Sequence, residues 1–127
     1  MVRGTTNPDT FKAALYLASA TVNSSTTAYS ATGEVSGAGY TAGGVTVSFA
    51  TAPATASTTA YVTPSASITF TGIKLSSSFD ALLLYNNTAP GKNAVSVHTF
   101  TPQTIVAGTL TLTMPVNDSA TALLRIN

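Results

Sequence analysis

The chain has 127 residues, a net charge of +1 and charged side chains at only 7% of its positions, against roughly 25% in an average soluble protein. Its five Lys and Arg residues stand apart from one another, which argues against nucleic acid, because neutralising several phosphates takes a cluster of basic residues. It has no cysteine, which excludes a disulfide framework and a thiolate metal site.

The length fits one domain with one core, which we place at residues 11–127 after a polar N-terminal arm at residues 1–10. No stretch approaches the roughly 20 apolar residues of a membrane helix, so we expect no membrane partner. So few charges leave little electrostatic repulsion between copies. We therefore expect the protein to work in an assembly.

Apolar and polar residues alternate with a period of two along the chain, and no window has a helical pattern. The stretch from Ala81 to Tyr85 is apolar throughout, so we expect a central strand covered on both faces, by a second sheet or a neighbouring subunit. The pattern predicts an all-β fold, an antiparallel sandwich or jelly roll of about eight short strands. The predicted strands are Phe11 to Leu17, Val45 to Phe49, Thr58 to Val62, Ile68 to Phe70, Ala81 to Tyr85, Ala94 to Phe100, Leu110 to Met114 and Leu123 to Ile126.

Two connections between these strands have their own signals. Pro90 and Gly91 suit the central positions of a type II turn, which would join the central strand to the next one as a hairpin. The stretch from Thr51 to Ser57 has low complexity, and we interpret it as an exposed loop.

A glycine-rich loop, Tyr29 to Val45 (YSATGEVSGAGYTAGGV), contains five glycines. Within it, Gly37 to Ala42 fits the G-x-G-x-x-A form of the dinucleotide-binding motif, which requires a strand before it and a helix after it. Here the glycines lead directly into a predicted strand, and no Lys-Ser or Lys-Thr pair closes a P-loop. We therefore expect no nucleotide and no other cofactor.

The alternative is that the glycines provide positive φ in a long ordered loop. Tyr29, Val35 and Tyr40 would anchor this loop to the sandwich surface, and Glu34 would accept N–H bonds from neighbouring glycines. The predicted structural residues of the loop are Tyr29, Glu34, Gly37, Gly39, Tyr40, Gly43 and Gly44.

We expect no enzyme, and we assign no catalytic residue and no metal ligand. His98 is the only histidine and shares a strand face with Ser96, so we interpret it as a partly exposed strand residue. No G-x-S-x-G motif is present, and the four carboxylates are far apart in sequence. Those carboxylates are Asp9, Glu34, Asp80 and Asp118.

Tyrosines and asparagines leave a second class open, a sugar-binding β-sandwich with Tyr29, Tyr40, Tyr85 and the pair Asn86-Asn87 on its loops. We favour tyrosines that pack at loop bases or at subunit contacts, where aromatic rings with a polar tip are common. A small-molecule ligand is accordingly not expected. The possible interface residues are Tyr16, Tyr85, Asn86 and Asn87.

Three segments, Lys12 to Tyr16, Tyr29 to Gly44 and Ala81 to Thr88, together resemble a group of small virion structural proteins of tailed bacteriophages. In that group an A-L-Y strand, a Y-x-A-x-x-E-V-x-G-x-G-Y-x-A-G-G loop and an A-L-I-Y-N strand occur in this order. The resemblance covers most of the chain from Phe11 to Asn127, and its middle motif is the specific one. After the central hairpin, where the group often has an acidic residue, this chain has His98-Thr99-Phe100-Thr101.

This resemblance implies a virion component, with a decoration or cement protein on the capsid exterior favoured and assembly in the host bacterial cytoplasm. Its partner would be the major capsid protein, and we expect a homotrimer whose arm, residues 1–10, reaches toward the capsid or a neighbouring subunit. The alternative is a neck, tail or fibre protein, including a receptor- or carbohydrate-binding module.

Overall fold

A computed structural model of the chain describes residues 9–49 and 52–126. These residues form strands and no helix, as the period-two pattern predicts, and none of their elements is a helix long and apolar enough to cross a membrane. Most of the predicted N-terminal arm, residues 1–8, lies outside the described residues. The strands are β1 (Phe11–Leu17), β2 (Val45–Val47), β3 (Ala54–Ala56), β4 (Thr59–Val62), β5 (Ile68–Asn86), β6 (Ala94–Leu112) and β7 (Leu124–Ile126).

The strands form two sheets, and every pairing is antiparallel. One sheet has the order β2-β1-β5-β6 and the other has the order β3-β4-β7. The register of the first sheet sets Leu15 in β1 opposite Leu82 in β5. Next to the second sheet, the buried Thr63 hydroxyl accepts a hydrogen bond from the Leu123 N–H (2.9 Å), which connects the end of β4 to the residue before β7.

Strands β5 and β6 are 19 residues long, where the sequence predicts two short strands for each. Their register shifts at five points between Phe70 and Tyr85, which is the signature of bulges. Ile68 lines the same cavity as Leu82 and Leu84, although a straight strand would separate these residues by roughly 45 Å or more. The hairpin is therefore sharply bent. The described residues form seven strands, two of them long, where the sequence predicts about eight short ones.

The predicted hairpin between the central strand and the next strand is present, but its turn type and the stretch from Thr51 to Ser57 differ from their predictions. The stretch predicted as an exposed loop contains β3, which pairs with β4 across a turn where Ser57 has a φ of 54°. In the β5–β6 hairpin, the Lys92 N–H donates to the Ala89 carbonyl (2.8 Å), so a four-residue turn with Pro90 and Gly91 at its centre is present. It is not type II, because the positive φ falls on Lys92 (46°) and not on Gly91.

The central part of β5, Ala81 to Tyr85, is buried at every residue, which confirms the prediction of cover on both faces. Leu82 and Leu84 belong to the larger core cluster, and Leu83 belongs to a smaller cluster on the opposite face. The cover over the smaller cluster comes from the same chain, and not from the second sheet or a neighbouring subunit as predicted. It includes Ala20, Val22 and Tyr29, from the stretch between β1 and β2.

Candidate functional site

The glycine-rich loop lies against the four-stranded sheet and forms backbone hydrogen bonds with two of its strands. The Val35 N–H donates to the Leu15 carbonyl in β1 (3.0 Å). Further along, the Lys74 N–H in β5 donates to the Ala38 carbonyl (2.8 Å). Val35 is also buried in the larger core cluster, so the loop is anchored by packing as well as by hydrogen bonds.

Three glycines lie where the loop backbone passes directly against a strand backbone, and two of them, Gly39 and Gly44, also have a positive φ. A Cβ on Gly44 would lie 1.8 Å from the Ala13 carbonyl oxygen, and one on Gly39 would lie 2.2 Å from the Gly72 carbonyl oxygen. Both glycines have a φ of +78°, so they meet a steric and a conformational requirement together. The predicted positive φ is confirmed at Gly33, Gly39, Gly43 and Gly44, whereas Gly37 is needed for close approach to the Lys74 carbonyl.

Glu34 is the centre of the side-chain hydrogen bonds in the loop. Its Oε2 accepts from the Tyr29 hydroxyl (2.6 Å), and its Oε1 accepts from the Tyr40 hydroxyl (2.7 Å) and from the Gly43 N–H (2.7 Å). Glu34 thus accepts a bond from a loop glycine, as predicted, but the donor is Gly43, nine residues away, and not a neighbouring glycine. Because hydrogen bonds to a charged acceptor are stronger than neutral ones, these three bonds close residues 29–43 into one unit.

The tyrosines connect this unit to the sheet. The Tyr40 hydroxyl accepts from the Leu15 N–H (3.0 Å), and the Tyr40 ring stacks on Phe70 with centroids 5.8 Å apart. The buried Tyr85 hydroxyl donates to the Gly43 carbonyl (2.8 Å). We call the set Tyr29, Glu34, Tyr40, Gly43 and Tyr85 the Glu34 network.

Burial and the Glu34 carboxylate determine the protonation of the tyrosines in the network. Burial, followed by the hydrogen bond to Glu34, raises the pKa of Tyr29 well above its ordinary value of 10.0, and burial is also the largest cause for Tyr40. Burial raises the pKa of Tyr85 to about 12. These hydroxyls are therefore neutral donors at physiological pH, and the network has the chemistry of a structural connection.

Two predicted interface residues are internal. Tyr16 is 2% exposed and Tyr85 is 0% exposed, because both side chains lie on the face of β1 and β5 that the stretch between β1 and β2 covers. The Tyr16 hydroxyl donates to the Ser30 carbonyl (2.6 Å). We therefore no longer assign these two rings to an interface.

The other two predicted interface residues lie at the end of β5 and are half-buried. Asn86 accepts bonds from the Thr88 and Ala89 N–H groups through its Oδ1, which organises the hairpin turn. The Asn87 N–H donates to the Thr10 carbonyl (2.8 Å). Their role at an interface stays a prediction.

His98 lies on β6 with Ser96, as the sequence predicts. The Ser96 Oγ and the His98 Nε2 are 2.9 Å apart, and burial lowers the pKa of the imidazole. In the part of the chain that the structure describes, no three His, Asp or Glu side chains are grouped so that they could hold a metal ion.

Asp118 caps a turn by accepting from the Ala120 and Thr121 N–H groups (2.8 and 2.7 Å), which lowers the pKa of its carboxyl group.

The candidate site is thus the loop surface built on the Glu34 network. Sequence reasoning identified the carboxylate and the glycines, but it missed the two tyrosine hydroxyls that bind Glu34 and the third that binds Gly43. No family of proteins, curated protein or solved structure matches the chain.

Proposed function

We propose that this protein is a structural component of a bacteriophage virion, and that it decorates the capsid exterior by binding the major capsid protein. The observation that carries the proposal is the resemblance of the glycine-rich loop to a motif of such proteins. Support comes from the hydrogen bonds and close contacts that the motif residues form in this fold. The Tyr29 and Tyr40 hydroxyls both donate to Glu34, and Gly39 and Gly44 allow the loop to pass against the sheet.

The surface chemistry also supports a role in assembly. A protein with 7% charged residues and a net charge of +1 binds a partner mainly through hydroxyls, backbone groups and small apolar side chains. Such contacts depend weakly on salt. Many copies of a modest interface can stabilise a shell through multivalency, which is the task of a cement protein.

The tyrosines give little support to the carbohydrate-binding alternative. Tyr29 stacks on Tyr85 with centroids 4.7 Å apart, and the Lys92 Nζ lies 5.2 Å from the centroid of the Tyr29 ring. Tyr40 stacks on Phe70. A sugar ring needs an open aromatic face, and these rings already pack on others.

The homotrimer and the capsid-directed arm at residues 1–10 remain part of the proposal.

The experiment that tests the proposal is the copy number of this chain in purified virus particles. Quantitative mass spectrometry would measure the chain against the major capsid protein, with a tail protein from the same sample as an internal reference. A decoration protein is expected at about one copy per capsid subunit or at a simple fraction of that number. A copy number equal to that of the tail protein would overturn capsid decoration and favour the neck, tail or fibre alternative.

A further inference from the structure

Strand β6 is an outer strand of the four-stranded sheet, with β5 as its strand neighbour in the described residues. None of its 19 residues is buried, whereas ten of the 19 residues of β5 are buried. At its beginning, the Ala94 N–H donates to the Thr27 carbonyl, so the open edge begins after Ala94. An outer strand presents a row of backbone donors and acceptors to which another strand can bind.

This edge lacks the charges that usually protect an outer strand. Residues 94–112 contain no Asp, Glu, Lys or Arg. Pro102, which has no N–H to donate, interrupts the row of backbone donors. Beyond it, Thr104 to Leu112 (TIVAGTLTL) is uncharged and rich in residues that favour strands, and Val106 is 70% exposed. We call this stretch the open edge segment.

We propose that the open edge segment pairs antiparallel with the same segment of a second copy of this chain, about a two-fold axis. The pairing would join two four-stranded sheets into one of eight strands. It goes beyond the proposed function and does not depend on it.

A second copy fits this edge better than a different partner for reasons of charge and symmetry. A partner recognised by charge would find no ionised side chain on the strand. Two copies meet without like-charge repulsion. Antiparallel self-pairing centred on Gly108 sets Val106 opposite Leu110 and Ile105 opposite Thr111, and such pairs of strand-favouring side chains stabilise a sheet. Gly108 is the middle residue of the segment, so a two-fold axis there pairs each of the other residues of the segment with one of the second copy.

The symmetry separates this contact from the expected homotrimer. A strand can pair antiparallel with its own copy only about a two-fold axis, so the contact cannot hold three copies around a three-fold axis. It would form a dimer from single chains, or it would join two trimers. In either case the particle in solution contains an even number of chains.

The test compares two variants of the full chain that differ only in the position of one new charge. Val106 and Val116 are both 70% exposed, but Val106 lies in the open edge segment and Val116 follows β6. Light scattering after size exclusion over a dilution series would give the mass of wild type, Val106→Lys and Val116→Lys. Circular dichroism would check that each variant is folded.

We expect an even number of chains for wild type and for Val116→Lys. For Val106→Lys we expect a dissociation constant that is raised about tenfold or more, because each pair of copies then carries two changed side chains. The proposal is overturned if wild type is monomeric at concentrations up to about 1 mM. It is also overturned if both variants weaken association equally, or if neither does.

A distance measurement tests the register independently of affinity. The chain has no cysteine, so Val106→Cys provides a single site for a spin label. Antiparallel pairing centred on Gly108 would place the two labelled residues about 15 Å apart. We expect dipolar coupling at that range for Val106→Cys. We expect no such coupling for Val116→Cys. The reverse result would contradict pairing through β6. Both experiments use the isolated protein, so their failure is distinct from a failure of the copy-number test on virus particles.

Discussion

The glycine-rich loop and strand β6 are both rich in hydroxyl and backbone polar groups, but they use these groups in opposite ways. In the loop, the Glu34 carboxylate accepts three hydrogen bonds from its own chain, and Tyr85 donates a further one to Gly43. In β6 no residue is buried, and beyond Ala94 its outer edge has no strand neighbour among the described residues. Composition alone therefore does not separate an internal structural segment from a surface for partners. The difference is whether the donors and acceptors find partners within the chain.

The comparison predicts that changes in the loop destabilise the fold, and the largest effect is expected at Gly44. In Gly44→Ala the new Cβ meets the Ala13 carbonyl at 1.8 Å, so backbone must move, and we expect the free energy of unfolding to fall by roughly 4 kcal/mol. Gly72→Ala is the matched control, because Gly72 also has a positive φ (63°) but has open space around it. For that variant we expect a loss of about 1 kcal/mol.

Urea denaturation of the two variants would measure both values. Equal losses would show that only the backbone conformation matters at Gly44, and they would contradict the close approach of loop and strand.

The next effect in size is expected at Glu34. Glu34→Ala leaves the Tyr29 and Tyr40 hydroxyls and the Gly43 N–H without their acceptor, and we expect the free energy of unfolding to fall by about 3 kcal/mol. Glu34→Gln keeps the shape and one acceptor oxygen, so its loss should be smaller. Thermal or urea unfolding would compare the two. A loss below about 0.5 kcal/mol for Glu34→Ala would mean that the network adds nothing to stability.

The smallest effect on stability at ordinary pH is expected from the tyrosines, because their ionisation changes the free energy of unfolding only above about pH 10. The folded pKa of Tyr85 is about 12, and those of Tyr16, Tyr29 and Tyr40 are also raised above the ordinary value of 10.0. A raised pKa contributes stability that is fully present below pH 10 and is lost as the pH rises through the folded value. We therefore expect stability to fall between pH 10 and 12.

The chain has no tryptophan, so its near-ultraviolet absorbance follows tyrosine ionisation directly. Tyrosinate formed at Tyr16, Tyr29, Tyr40 and Tyr85 should appear together with the loss of the β-sheet circular dichroism signal. Ionisation of Tyr29, Tyr40 and Tyr85 near pH 10 in a chain that stays folded would contradict their burial in the network.

The sequence predicted most of the strands because burial on one face leaves a period of two. Strand β1 has the predicted bounds, Phe11–Leu17, and the unbroken apolar stretch of β5 is buried on both faces. The continuity of β5 was missed because its polar stretch, Ser76 to Ser78, has no apolar alternation. The residues on either side of it, Leu75 and Phe79, pair with β6 across a register shift. Strand β3 (Ala-Thr-Ala) likewise has almost no local signal and depends on β4.

The Glu34 network was predicted only in its local part. The bond from Gly43 lies within the loop, so the sequence suggested it, but Tyr85 is 42 residues away from Gly43 and only the fold brings the two together. A signal was present, since Glu34 is the single charged residue between Lys12 and Lys74. A lone charge within so long an uncharged stretch indicates a carboxylate with a specific partner set.

Amide hydrogen exchange along the glycine-rich loop tests the central claim that the Glu34 network fixes this loop to the sheet. In wild type, we expect slow exchange at the Val35 amide, which binds the Leu15 carbonyl, and at the Gly43 amide, which binds Glu34. In Glu34→Ala, protection should be lost at Gly43 first while Val35 keeps most of its own. If the Gly43 amide of wild type exchanges at the rate of an unfolded chain, the Glu34 carboxylate does not hold the loop against the sheet.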